Sequence, residues 1–264
     1  MVVVWATPVI GLVITSLRLP VDNLQSGWWD AFVHPLFTIR NYLPIFEGDQ
    51  SFLQSIVVSF VIAVPVTVLT TLLSAVGAYA LTRMKFAGRV VLSVVMAGMI
   101  VIPPQVTLVP LLELFSKVGL VGTIPAIWIY QVGFTLPYGI FLIRGAVSEV
   151  PNDLFESAAI DGARPFRAFR SILLPVISPT LAALAIMQFL WSWNDLLIPL
   201  VFLGGGDGLR PVTVEVSSMI SATTGTGVSQ MLAAAVLSVV PPLAILFGLQ
   251  KYFVRGVLGG AVKG

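Results

Sequence analysis

The sequence predicts an all-α integral membrane protein with six transmembrane helices, and three observations carry that prediction. The 264 residues are 57% hydrophobic and 10% charged, where a soluble domain carries about 25% charged residues. Mean hydropathy is +1.00, and the apolar residues gather in runs near or above the roughly 20 residues a helix needs to cross a bilayer. No run alternates apolar with polar residues as a membrane barrel requires. Helices are left as the structure that pairs every backbone group within its own segment.

The first span covers residues 2–17. At about 1.5 Å per residue it barely crosses the hydrocarbon core. No basic segment precedes it and no small-residue cleavage site follows, so it is not read as a signal peptide, and a few residues are expected ahead of it. The second and third spans, 52–81 and 90–115, exceed about 20 residues and are expected to tilt or to extend beyond the bilayer. The fourth covers 124–143, the fifth 181–203 and the sixth 231–253, all within one transmembrane domain over 1–264. Prolines interrupt them at Pro65, Pro103, Pro104, Pro110, Pro137, Pro199, Pro241 and Pro242. Each frees backbone groups that a neighbouring helix or a wet cavity must satisfy. Simple kinking and a translocation path both account for the set.

Charge sets the orientation. Arg83, Lys85, Arg89, Arg144, Arg164, Arg167, Arg170, Lys251, Arg255 and Lys263 fall on one side, and Arg18, Arg40, Lys117 and Arg210 on the other. The richer side is expected to be cytoplasmic, with both termini there. Loops 19–51 and 204–230 then face outward. The net charge of +2 and pI of about 9.1 express this topology and not nucleic-acid affinity, because the basic residues sit in short loops. The absence of cysteine excludes disulfides and thiolate metal sites. The single histidine, His34, is expected to be solvated in a loop, and no metal site is expected.

The chain has no G-x-x-x-x-G-K-[ST] phosphate loop. Gly204-Gly205-Gly206 and Gly225-Thr226-Gly227 lack the lysine that reaches phosphate. The chain is therefore not expected to cradle ATP itself. An ion-coupled carrier would need intramembrane charges or inverted repeats. The only acidic residues in the spans are Glu113 and Asp195, near the outer ends.

One stretch departs from the apolar background, the loop 151–179, which contains "ESAAIDGARPFRAFRSILLPVISP" from Glu156 to Pro179. Pro151 can open a helix, and Asp153 and Glu156 then suit its positive end. Phe155, Ala158, Ala159 and Gly162 stand at i, i+3, i+4 and i+7 and form a face of low relief. Gly162 can end that helix. A second short helix is expected from Pro165, with Arg164, Arg167 and Arg170 on one face and Phe166 and Phe169 on another, stopped by Pro175 and Pro179. An amphipathic helix on anionic headgroups is one account. Glu156 and Asp161 interrupt the basic face, however, and the small residues insert poorly, so a docking surface for a cytoplasmic protein fits better.

These residues resemble the EAA loop of ABC importer membrane subunits. Glu156-Ser157-Ala158, then Gly162, then Ile172-Leu173-Leu174-Pro175 keep the spacing of E-A-A, three residues, G, nine residues, I-x-L-P. Ser157 replaces the first alanine. Chance would supply such a match in about one chain in ten thousand. "WSWNDLLIPLVFL" at 191–203 and "QKYFVRGVLGGAVKG" at 250–264 are similar to the MalG-like carbohydrate permease family. The resemblance implies a type I ABC importer permease fold with a cytoplasmic coupling helix. It implies ATPase docking through Glu156, Ser157, Ala158, Ala159, Asp161, Gly162, Arg164, Phe166 and Arg167, with Gly162 forming the turn. The implied partners are a homologous second permease, two copies of an ABC ATPase that binds ATP and Mg²⁺, and an extracytoplasmic solute-binding protein. The chain would be a transport subunit without its own ATPase site, in the bacterial cytoplasmic membrane.

A sugar or sugar derivative is the expected solute. Tyr130, Gln131, Gln188, Trp191, Asn194 and Asp195 are the candidates for its path, with Gln105 and Trp193 nearby in type. Aromatic planes suit the apolar face of a sugar ring, and amides serve hydroxyls as donor and acceptor. Trp191, Asn194 and Asp195 share a face if one helix carries them. Interhelical hydrogen bonding or interfacial anchoring accounts for the same residues. A non-sugar solute such as a glycerol phosphate ester, or a carrier working alone, are the alternatives.

Overall fold

The computed structural model describes residues 2–47, 52–204, 208–221 and 227–259. Gly205, Gly206, Gly225, Thr226 and residues 260–264 lie outside them. The described residues are helical, without a strand. The helices are α1 (Val2–Ser16), α2 (Pro20–Gln25), α3 (Phe52–Arg83), α4 (Arg89–Val101), α5 (Leu108–Lys117), α6 (Ile124–Glu149), α7 (Asn152–Ile160), α8 (Pro165–Asn194), α9 (Leu197–Leu203), α10 (Val212–Ser221) and α11 (Val228–Gly259). Among the described residues, α3, α6, α8 and the Val228–Lys251 part of α11 are long and apolar enough to cross a membrane. With α4 and α5 counted as one broken span they number five, and α1 is a shorter apolar helix.

Two spans differ from the sequence expectation. The segment 90–115 is not one helix, because α4 and the segment Pro104–Lys117 meet at 97°. Ile102 and Pro103 are extended, with ψ of 120° and 131°, as a residue before proline prefers. Pro104 then opens a 3₁₀ turn, Pro104–Thr107. The carbonyl of Pro104 accepts from Tyr130 Oη at 2.6 Å and from Thr107 Oγ1 at 2.8 Å. The break therefore carries its own polar partners, as hydrocarbon requires.

The helix that holds the fifth span begins at Pro165, not near 181, and runs to Asn194 without a break. Pro175 and Pro179 do not stop it. A π turn over Phe169–Leu173 precedes Pro175, and the Leu174 amide bonds to Phe169 O, five residues back. The wider turn takes up the clash a proline ring makes with the carbonyl four residues earlier. At the other end the helix stops at Asn194. Asp195 Oδ1 instead accepts from the Ile198 amide at 3.2 Å and caps α9. Asp195 thus leaves the face it was expected to share with Trp191 and Asn194.

The chain forms two compact units. The first comprises Met1–Val61 and Asp195–Ala244. Its organising group is Arg18, only 3% exposed. The guanidinium donates to Gly27 O at 2.8 Å and Ser26 Oγ at 2.6 Å, and lies 3.7 Å from Asp30. Asn41 Nδ2 bonds Ser16 O and Arg18 O at 2.7 Å each. His34 is exposed as expected, yet its Nδ1 sits 3.3 Å from Asp30 Oδ1. Hydrogen bonds from His34 and then Ser26 hold the Asp30 carboxyl below its usual pKa.

The second unit comprises Ile62–Asn194 and Ile245–Gly264. Its core gathers Ala78 and Leu81 of α3, Met96 of α4, Ile140, Ile143 and Val147 of α6, and Leu173, Ile177 and Leu184 of α8. Helix α6 is the most enclosed, and α3 and α8 keep apolar residues on their outer sides, where lipid replaces the partner a soluble helix would need. Gly139 lets α6 approach its neighbours closely. A Cβ there would lie 2.2 Å from Ser74 Oγ and 3.3 Å from Leu184 Cδ2. Gly139→Val should therefore lower the detergent-solubilised melting temperature, since overpacking costs about 1–3 kcal/mol. Gly139→Ala should cost less in a Ser74→Ala background than in the wild type, measured by thermal scanning of both.

Candidate functional site

The charged loop folds as an elbow. Asn152–Ile160 makes α7, and Asp153 lies in its first turn, where the helix dipole favours a negative charge. The helix ends in a Schellman motif. Ala163 N bonds to Ala158 O at 2.8 Å and Gly162 N to Ala159 O at 3.0 Å. Gly162 has φ of +75°, and a Cβ there would meet open space. Backbone conformation therefore requires glycine within this chain, while its outer surface is left clear. Arg164 then caps α8, its carbonyl accepting from Arg167 N at 2.9 Å and Ala168 N at 3.1 Å.

The elbow presents one side and hides the other. Glu156, Ser157, Ala159, Asp161, Gly162, Arg164, Phe166 and Arg167 are exposed. None of the four charged groups among them makes an ion pair among the described residues. Ala158 is half-buried, and Phe155 turns inward against the core. The low-relief face expected from Phe155, Ala158, Ala159 and Gly162 is thus divided. Its Phe155 and Ala158 half seats α7 on its own chain, and its Ala159 and Gly162 half is free. Two apolar side chains that the sequence pattern passed over join the free side. Ile160 is 86% exposed beside the turn, and Leu154 is exposed one and a half turns earlier. The signal was there: both lie off the inward stripe that Phe155 begins. Phe166 is 72% exposed on the other arm.

The polar positions of the spans do not converge. Tyr130 is buried, stacks on Phe134 with centroids 4.9 Å apart, and serves the Pro104 carbonyl. Gln131 is buried, and its Oε1 accepts from Ser192 Oγ at 2.6 Å. Gln188 is 1% exposed, and its Oε1 has no hydrogen-bond partner among the described residues. Trp193 is buried against Phe189. Trp191, by contrast, is 47% exposed, with its ring 5.4 Å from Tyr138. Asn194 is exposed and bonds back to Leu190 O at 2.8 Å. Asp195 is committed to capping α9. Gln105 is exposed in the Pro104–Thr107 turn. Beside that turn is an apolar hollow of about 460 Å³ between Met99, Ile102, Val106, Pro110, Leu111 and Phe134, with Thr107 its one hydroxyl. Such a lining offers little to a polyhydroxylated solute.

The comparisons with known proteins agree with this architecture. Residues 8–259 match the family described as binding-protein-dependent transport system inner membrane component. A permease protein for uptake of osmoprotective compounds from Synechocystis sp. is 40% identical, over 98% of this chain and 88% of that one. An alpha-glucoside transport system permease protein from Rhizobium meliloti is also 40% identical, over 96% of this chain and 67% of that one. Among solved structures, a bacterial ABC transporter involved in import of the acidic polysaccharide alginate has a chain with a TM-score of 0.79. It is 19% identical, with 96% of this chain and 92% of that one covered. That likeness shows the shared helical fold. The resemblance carried by the elbow and the two segments that follow it is borne out: the chain belongs to the family of binding-protein-dependent transport system inner membrane components.

Proposed function

We propose that the chain is one of two membrane subunits of an ATP-binding-cassette importer for a sugar or sugar derivative. The elbow carries this reading. A left-handed turn at Gly162 holds a clear small-residue surface, flanked by Glu156 and Asp161 on one arm and Arg164 and Arg167 on the other. Charged and apolar groups left exposed together suit a protein cleft better than water or headgroups. An ABC ATPase is the occupant that the family and the EAA spacing support. Two such ATPases, a homologous permease and an extracytoplasmic binding protein complete the assembly, in which ATP and Mg²⁺ belong to the ATPases. The elbow and both termini are cytoplasmic, because the Lys and Arg bias favours that side. The sugar assignment rests on the alpha-glucoside relative.

Of the candidate path residues, Trp191 and Asn194 retain free surface for a solute. Gln131 and Tyr130 have structural partners. In the assembled transporter, Trp191→Ala should raise the half-saturating solute concentration several-fold without lowering the melting temperature. Ser192→Ala should instead lower the melting temperature and leave the half-saturating concentration unchanged, because it removes the hydroxyl that donates to the buried Gln131 oxygen, a bond worth about 0.5–1.5 kcal/mol.

The docking role is tested by Glu156→Lys and Gly162→Val. Uptake and co-purification of the ATPase should both fall while membrane insertion, followed by fractionation and blotting, persists. Unchanged uptake would reject the role. Proteoliposomes that hold this chain alone should show no solute flux, and flux there would identify a carrier that works by itself.

A further inference from the structure

We propose that Arg83 and Tyr79 form a latch that fastens the elbow to α3, making them the positioning residues through which movement of the docking surface enters the membrane bundle. The proposal rests on the docking role of the elbow.

Tyr79 and Arg83 are one turn apart on the last stretch of α3 and therefore share a face. Between them they touch each segment that meets at the elbow. Arg83 Nη2 donates to Val147 O at 2.8 Å and also to Val150 O, at the end of α6. Its Nη1 donates to the Asn152 side-chain carbonyl, in the first turn of α7. The guanidinium carbon lies 4.6 Å from the centroid of the Phe155 ring, within range of a cation–π contact. Tyr79 reaches the other arm. Its hydroxyl donates to Pro165 O at 3.3 Å, and its ring lies 5.3 Å from Phe169 and 6.4 Å from Phe155.

Chemistry explains why this position carries an arginine. The Val147 carbonyl lacks its regular helical donor, because residue 151 is proline, and has only a long bond from Val150 N at 3.4 Å within the helix end, so a cation beside these last carbonyls is favourable. A lysine would satisfy that need. Only the planar fork of arginine serves two carbonyls, an amide oxygen and a ring face together. Phe155 is the one aromatic side chain of α7, and Tyr79 and Arg83 are its ring contacts among the described residues. The nine-residue helix is thus held inward at the same point where α3 ends. A push on the free side of α7 arrives at α3 through Phe155, and a push on the first turn of α8 arrives through Pro165 and Phe169.

The test uses the assembled transporter with its ATPase and binding protein. Arg83→Lys should leave ATPase co-purification at the wild-type level and lower the solute moved per ATP hydrolysed by at least about fivefold. Stimulation of ATP hydrolysis by loaded binding protein should fall with it. Because the chain has no cysteine of its own, Tyr79→Cys with Phe169→Cys can be joined by a short bis-thiol reagent. The joined pair should transport better than the same pair left unjoined. A wild-type transport ratio in Arg83→Lys would overturn the latch. So would a joined pair that stalls, because the elbow and α3 would then have to part during the cycle. Loss of co-purification, transport and thermal stability together in Arg83→Lys would reduce the residue to a helix cap and overturn it too. Failure of the docking role has a different pattern, in which Glu156→Lys leaves both assembly and uptake intact.

Discussion

In hydrocarbon a peptide group has no solvent to turn to, and a freed carbonyl or amide must find its partner within the protein. The helices of this chain are interrupted often, and the interruptions show how that constraint is met. At Pro103–Pro104 the helix breaks fully, and Tyr130 and Thr107 supply hydroxyls to the carbonyl of Pro104. At Pro175 the helix survives, because a π turn widens ahead of it. At Asp195 the helix ends, and the carboxylate starts the next one by accepting from Ile198. These are three solutions to one problem, and the first and third use polar side chains, those of Tyr130 and Asp195, that composition alone would offer to a solute. Helices α3, α6 and α8 can then keep an apolar exterior for lipid and a packed interior around Ile143, Val147 and Leu173.

The elbow follows a different rule, because it stands in the charged loop outside the spans. Gly162 is required by a left-handed backbone angle and not by a close neighbour in its own chain. The same residue that turns the chain leaves its surface clear. Inward, Phe155, Ala158 and Leu173 attach the elbow to the bundle. Outward, Glu156, Ala159, Ile160 and Phe166 are uncovered. One face of the segment is bonded to the membrane helices and one face is bare, which is the form that the proposed docking role requires. The Arg83 contacts place the attachment at the ends of α3 and α6.

The polar side chains inside the bundle divide by burial. Gln131, Ser192 and Gln188 are enclosed between packed helices, and an unmet hydrogen bond there is costly. Trp191 and Asn194 stand on free surface of α8. Family membership accounts for the fold and the transport role.

Much of the molecule was legible in the sequence. Sparse charge and long apolar runs determine a helical membrane protein, because lipid admits few other backbones. The spacing from Glu156 through Gly162 to Pro175 determines the elbow, because a left-handed turn demands glycine at one place. Other features were decided by tertiary packing. Whether a proline breaks a helix depends on what stands beside it, so the break at Pro103–Pro104 and the continuity through Pro175 could not be read from proline itself. Asp195 left the face of Trp191 because the helix ended one residue earlier, and a helix end is set by the cap that wins locally. Arg83 counted as one more positive charge for topology. Its bonds to α6 and α7 join residues more than sixty positions apart, and only the folded chain brings those groups to one place.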